Sequence, residues 1–273
     1  MKLSFATLGC PNWNIEEIVR NAKAMGFDGV ELRGAAGEHI GPDEPIQERR
    51  RMRALFRSAG LDIAAIMGYS NFTIDDPAKR EQSIEVAIKF IDVARDIGCP
   101  VLRVFGGVLS EQLDWKGNLE RVASGLKRVV PHAERKAVKI ALETHDAWQK
   151  GEQLRAVIDA VGSPALGACW DVGNSFFAEP LEKTCAAIAG RIYHVHFKDA
   201  ARGGEGVKSK LPGTGEVDLE KALRLLQQAG YGGYLSFEWE KKWEPSLDEP
   251  EVAFPHYVRF CEQLMEKVGV PRG

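Results

Sequence analysis

Eight times along this chain a short apolar run gives way to an amphipathic stretch, and the amphipathic stretch commonly stops at a glycine. The runs are LSFATL (3–8), GVELR (29–33), LDIAAIM (61–67), PVLRVFG (100–106), VKIALETH (138–145), LGACWDV (166–172), IYHVHF (192–197) and YLSFEWE (234–240). Most are near-continuous rather than alternating, the pattern of parallel strands covered on both faces. NIEEIVRNAKAMG (14–26) and the stretch from Pro77 to Gly98, which starts behind Asp76, carry helix start and stop signals. Glycines at 26, 60, 98 and 230 mark the junctions back into strands. A unit of roughly 30 residues is what a strand, a helix and a parallel return need. Eight such units predict a single-domain α/β fold, a (β/α)₈ TIM barrel over residues 1–273. A doubly wound sheet would show a glycine-rich phosphate turn after the first strand; GCPNWN stands there instead.

The formal charge of −3 provides no basic field for nucleic acid. Five cysteines (10, 99, 169, 185, 261) without a C-x-x-C argue against a disulfide framework and a thiolate zinc site. They predict a reducing, cytoplasmic setting. The N-terminus lacks a signal-peptide pattern, and no run reaches the ~18 apolar residues of a membrane span. The segment 198–217 (KDAARGGEGVKSKLPGTGEV) reads as a long loop and a substrate lid.

In a parallel barrel all strands end on one rim, so side chains distant in sequence converge there. The fifth run ends with Glu143, His145 and Asp146; the sixth with Asp171 and Asn174; the seventh with His194, His196, Lys198 and Asp199; the eighth with Glu238 and Glu240. Charges embedded in apolar strands are costly unless paired or coordinated. Four on consecutive strands predict a metal centre of Glu143, Asp171, His196 and Glu238. Period-two geometry places His194 beside His196 but deeper, as a core or supporting residue, and Glu240 past Trp239 in the following loop. Three carboxylates and one imidazole suit one divalent ion, Mn²⁺ foremost, with Mg²⁺, Co²⁺ or Zn²⁺ as alternatives.

These strand ends resemble those of the xylose-isomerase-like barrel superfamily, which includes ketose 3-epimerases, hydroxypyruvate isomerase, inosose dehydratase and endonuclease IV. The resemblance spans nearly the whole chain. It is carried by GFDGVELRG, ALETHD, CWDVGN, HVHFKD, PGTGEVDL and LSFEWE. It implies metal ligation by Glu143, Asp171, His196 and Glu238, with the two glutamates doubling as acid and base. It also implies substrate binding by Arg202, six residues after His196. Three residues after the metal aspartate, where epimerases usually have histidine, this chain has Asn174.

The expected activity is a metal-dependent sugar isomerase or epimerase. Glu143 and Glu238 would move protons next to a carbonyl, and the metal would stabilise the enediolate. The alternative is a lyase, a dehydratase or eliminase acting on a keto-sugar or inosose. A nuclease lacks the further His and Asp ligands, and a non-catalytic sugar binder has no need of two flanking carboxylates. His145, Asn174, Lys198, Trp148 and Arg103 join Arg202 as candidate substrate contacts. Weaker candidates are Glu31, Arg33, Tyr69 and Phe105. Trp13, Trp148, Trp170, Trp239 and Trp243 are candidate aromatic walls for a sugar. The expected partner is a small carbohydrate, with neither nucleic acid nor membrane; barrels of this kind often form homodimers.

Overall fold

The computed structural model describes residues 1–204 and 206–273. Eight parallel strands close a barrel: β1 (Lys2–Ala6), β2 (Gly29–Gly34), β3 (Asp62–Gly68), β4 (Val101–Val104), β5 (Lys139–Glu143), β6 (Leu166–Asp171), β7 (Ile192–His196) and, last in the chain, β10 (Tyr234–Phe237). Neighbours around the ring run β1-β10-β7-β6-β5-β4-β3-β2. Helices α1 (Ile15–Ala24), α2 (Ile46–Ala59), α3 (Pro77–Ile97), α4 (Trp115–Lys136), α5 (Gly151–Val161), α6 (Val172–Ala178), α7 (Leu181–Ile188), α8 (Leu219–Gln228) and α9 (Pro250–Val268) connect and cover them. Among the described residues, no helix is long and apolar enough to cross a membrane.

Local chemistry sets the helix ends. Asn14 and Glu17 form a reciprocal capping box on α1, each side chain accepting from the other's backbone N–H at 2.9 Å. Asp76 accepts from Ala78 N–H and Lys79 N–H ahead of Pro77, and α3 stops at Gly98 in the left-handed region. Between the barrel and α9, Phe237 stacks on Tyr257 with centroids 4.5 Å apart, while Phe5 lies 4.3 Å from Phe254. Each such ring contributes about 2–3 kcal/mol by leaving water.

Two sequence expectations are corrected. The eighth run was expected to be strand through residue 240, but β10 ends at Phe237. The apolar signal continued because Trp239 is buried beyond the last ladder bond. The segment 198–217 is not a plain loop. It contains an antiparallel hairpin of β8 (Asp199–Gly203) and β9 (Gly206–Lys210); residue 205, within it, lies outside the described residues. The PGTGEV turn closes the base by wrapping the Asp199 carboxylate. Oδ2 accepts from Gly213 N–H at 2.9 Å and Gly215 N–H at 2.8 Å. Oδ1 accepts from Ala200 N–H at 2.8 Å and Val217 N–H at 3.1 Å. A Cβ on Gly215 would lie 2.2 Å from Asp199 Oδ1, so the close wrap requires glycine.

Candidate metal centre

Strand register brings the predicted residues together. Asp171 on β6 lies beside His196 on β7, and His196 beside Ser236 on β10. The period-two repeat then places Glu238, two beyond Ser236, on the same inner face at the rim. One ligand atom from each of Glu143, Asp171, His196 and Glu238 lies within 4.8 Å of the others, and all four residues are buried. His196 Nδ1 faces Glu143 Oε1 at 3.0 Å, Glu238 Oε1 at 3.5 Å and Asp171 Oδ2 at 3.8 Å.

Two cationic side chains also contact these acids. Arg103 Nε is 2.8 Å from Glu143 Oε2, and its Nη2 is 3.5 Å from Glu238 Oε1. Lys198 Nζ is 2.6 Å from Glu238 Oε2, 2.9 Å from Asp171 Oδ2 and 2.8 Å from Glu240 Oε1. Asp171 Oδ1 caps α6 by accepting from Asn174 N–H at 2.8 Å. Cations therefore surround the cluster without filling every acceptor site. Glu143 Oε2 and Asp171 Oδ2 are buried with no well-aligned hydrogen bond despite the cations nearby. Surplus buried acceptors around one imidazole nitrogen fit a divalent cation.

A second layer lies on the far side of His196. Glu31 Oε1 is 3.1 Å from His196 Nε2, and Glu31 Oε2 is 3.0 Å from His194 Nε2. Ser236 Oγ donates to the same Oε2 at 2.7 Å. Burial favours the neutral acid, yet the His196 and His194 rings outweigh it and hold Glu31 well below the usual carboxylate range. Burial likewise opposes a charge on His196, but the carboxylates of Glu238, Glu31 and Glu143 raise it well above the usual histidine value. Glu143 and Glu238 are both lowered against burial: Glu143 by Arg103 and His196, Glu238 by His196, Lys198 and Arg103. Asp171 is raised, because its burial outweighs Lys198.

The remaining candidates divide. Arg103 and Lys198 touch the acids themselves. His145, 4.5 Å from the Phe105 ring, stands at the rim paired with Asp146. Asn174 Nδ2 donates to Thr144 O at 3.1 Å, which fixes its side chain beside the cluster. Arg202 is exposed on β8, with its guanidinium 5.6 Å from the Phe177 ring, so its described side-chain contact is not with the acids. Trp148 is corrected. It is fully buried, its indole N–H donates to Gly107 O at 2.8 Å, and it packs on Gly106, where a Cβ would meet the ring at 2.4 Å. Trp170 and Trp239 are also core residues rather than walls.

Sequence reasoning ranked Glu31 low and did not connect it to the histidines. The available signal was a lone carboxylate on the inner face of GVELR and a second histidine two residues before His196.

Comparison with known proteins agrees with this architecture. A family model described as a xylose isomerase-like TIM barrel matches residues 19–263. The L-ribulose-5-phosphate 3-epimerase UlaE of Shigella flexneri is 27% identical over 264 residues, covering 93% of this chain and 91% of that protein. A solved L-ribulose 3-epimerase superposes with a TM-score of 0.82 at 20% identity, covering 98% of this chain and 95% of that one. The IOLI protein, solved with a zinc atom, superposes with a TM-score of 0.83 at 19% identity, covering 98% and 99%. From the closed barrel and the family match together, this chain belongs to the xylose isomerase-like TIM-barrel family.

Proposed function

We propose that this protein is a divalent-metal-dependent epimerase or isomerase of a small keto-sugar. The observation that carries the reading is the meeting of two glutamates from separate strands, Glu143 and Glu238, around one imidazole nitrogen and Asp171. Pure sugar binding does not call for two such groups. The epimerase relatives support the choice of carbonyl-adjacent proton transfer.

Glu143, Asp171, His196 and Glu238 would hold the ion, Mn²⁺ being the best match for three carboxylates and an imidazole. When bound, a divalent ion would supply Lewis-acid chemistry, drawing charge away from the substrate carbonyl and so making the adjacent C–H proton easier to remove. One glutamate removes the proton from the carbon beside the carbonyl, and the other returns one to the opposite face. Arg103 reaches both glutamates and fixes their spacing. Lys198 does the same for Glu238 and Asp171. His145 at the rim and Arg202 on the hairpin are the proposed sugar contacts beyond the reacting carbons. The five buried free thiols support a reducing compartment such as the cytoplasm.

The test is solvent deuterium uptake. Chelator-stripped protein reloaded with Mn²⁺ is incubated with a panel of ketoses in D₂O and followed by NMR. Metal-dependent deuterium uptake next to the carbonyl, with the carbon skeleton and oxygen count unchanged, supports the reading. Loss of water from the sugar would replace it with a lyase.

A further inference from the structure

Across the barrel from His196 lies a second concavity of about 420 Å³, between the segments that follow β2 and β3 and one face of α3. On the closed ring β3 stands diametrically opposite β7, so this cavity lies on the side of the barrel opposite His196. Ala35, Ala36, Pro42, Ile74, Val86 and Phe90 make its walls largely apolar.

Two observations connect the cavity to the centre and to a ligand. Tyr69 lines it and also holds the Arg103 guanidinium 5.4 Å from its ring. From Tyr69 an aromatic strip runs to Phe105, with centroids 6.1 Å apart, and on to His145 at 4.5 Å, two residues beyond Glu143. Aromatic faces of this kind are surfaces on which sugar rings stack. Ser70 also lines the cavity. It is 5% exposed, and its buried hydroxyl has no hydrogen-bond partner, a cost that a ligand hydroxyl would relieve. Among the described lining residues the only charge is the exposed Lys79. Apolar walls with one exposed cation cannot desolvate a phosphate dianion at low cost.

We propose that the substrate is a keto-sugar glycoside. Its carbonyl end lies at Glu143 and Glu238, and an uncharged second ring occupies the cavity between the ends of β2 and β3. The carbonyl half of this statement rests on the function proposed above; the cavity half does not.

Three probes that differ only at the far end of one ketose separate the cases: D-fructose, D-fructose 6-phosphate and isomaltulose, which carries a glucosyl ring there. Each is titrated calorimetrically into the Mn²⁺-loaded full chain, and deuterium uptake is followed in parallel. Isomaltulose is expected to bind at least ~10-fold more tightly than fructose, about 1.4 kcal/mol. Ala36→Trp and Gln82→Trp, both at exposed lining positions, should remove that preference and leave fructose binding unchanged. Two plugs are used so that one misfolded variant does not decide the result.

Equal affinity for isomaltulose and fructose would overturn the proposal. So would preference for the phosphate, or plugs that weaken fructose as much as isomaltulose. A plug-sensitive isomaltulose preference without deuterium uptake from any probe would uphold the cavity and remove the epimerase reading. Uptake without the preference would do the reverse.

Discussion

Glu31→Gln tests the arrangement behind His196 most directly. In the wild type, the charged Glu31 Oε1 lies 3.1 Å from His196 Nε2, which orients the ring so that Nδ1 faces the three acids. A buried hydrogen bond to a charged group contributes about 1.5–3 kcal/mol, and a neutral one about 0.5–1.5 kcal/mol. Glutamine keeps the shape and an amide oxygen but loses the charge. The loss is therefore about 1–2 kcal/mol, or roughly 5- to 30-fold in metal affinity, overlapping the roughly 10- to 100-fold range known for residues that support metal-ligating histidines. Glu31→Ala is a poorer probe, because it strips the acceptor from His194, His196 and Ser236 together. That costs about 1–3 kcal/mol per orphaned group, a large part of a typical domain's stability. The assay is calorimetric Mn²⁺ titration of chelator-stripped Glu31→Gln protein, paired with its metal-free melting curve. Wild-type affinity in a normally folded variant would refute the orienting role. So would a change confined to the metal-free melt.

The other outcomes follow from the same geometry. Glu143→Gln and Glu238→Gln should each lower kcat about 10²- to 10⁴-fold while leaving the fold intact; near-normal turnover in either would reject its role. Because metal-free His196 is held above its ordinary value, its proton competes with the ion. Below the folded pKa, metal affinity should fall about tenfold per pH unit, with one proton released per ion bound, measured by titration at about pH 6, 7 and 8. The sign for the metal-free fold is opposite. The His196 contribution is complete below the unfolded value of about 6.5 and fades as pH rises through the raised folded value, visible as a lower metal-free Tm in alkali. Asp199→Ala should loosen the hairpin base, since four backbone N–H groups lose their acceptor. Limited proteolysis should then cut first within 199–217, and unchanged resistance would show that the strand pairing alone holds it.

The success and the failures of the sequence reading share one cause. A barrel converts position along a strand into height above its floor, and period two converts it into inside or outside. Those two rules rank His196 above His194 and place Glu238 nearer the strand end than Glu240, because the members of each pair share one face and differ in height. They do not reveal which side chains meet across the bore. Glu31 on β2 reaches His194 and His196 on β7, strands three places apart around the ring, and nothing local to GVELR encodes that meeting. Lys198 was legible as a rim residue, but its pairing with Glu238 depends on the register that sets His196 beside Ser236. Trp148 failed for a different reason. Position after a strand said "rim", whereas Gly106 on the neighbouring loop leaves room for the indole and the Gly107 carbonyl accepts its N–H, which buries it. The hairpin escaped notice because GVKSK has no apolar face to bury; a carboxylate gathering backbone N–H groups closes it instead. The candidate ligands announce themselves as charges in apolar runs, whereas the side chains that contact them from across the bore become visible only when the ring is closed.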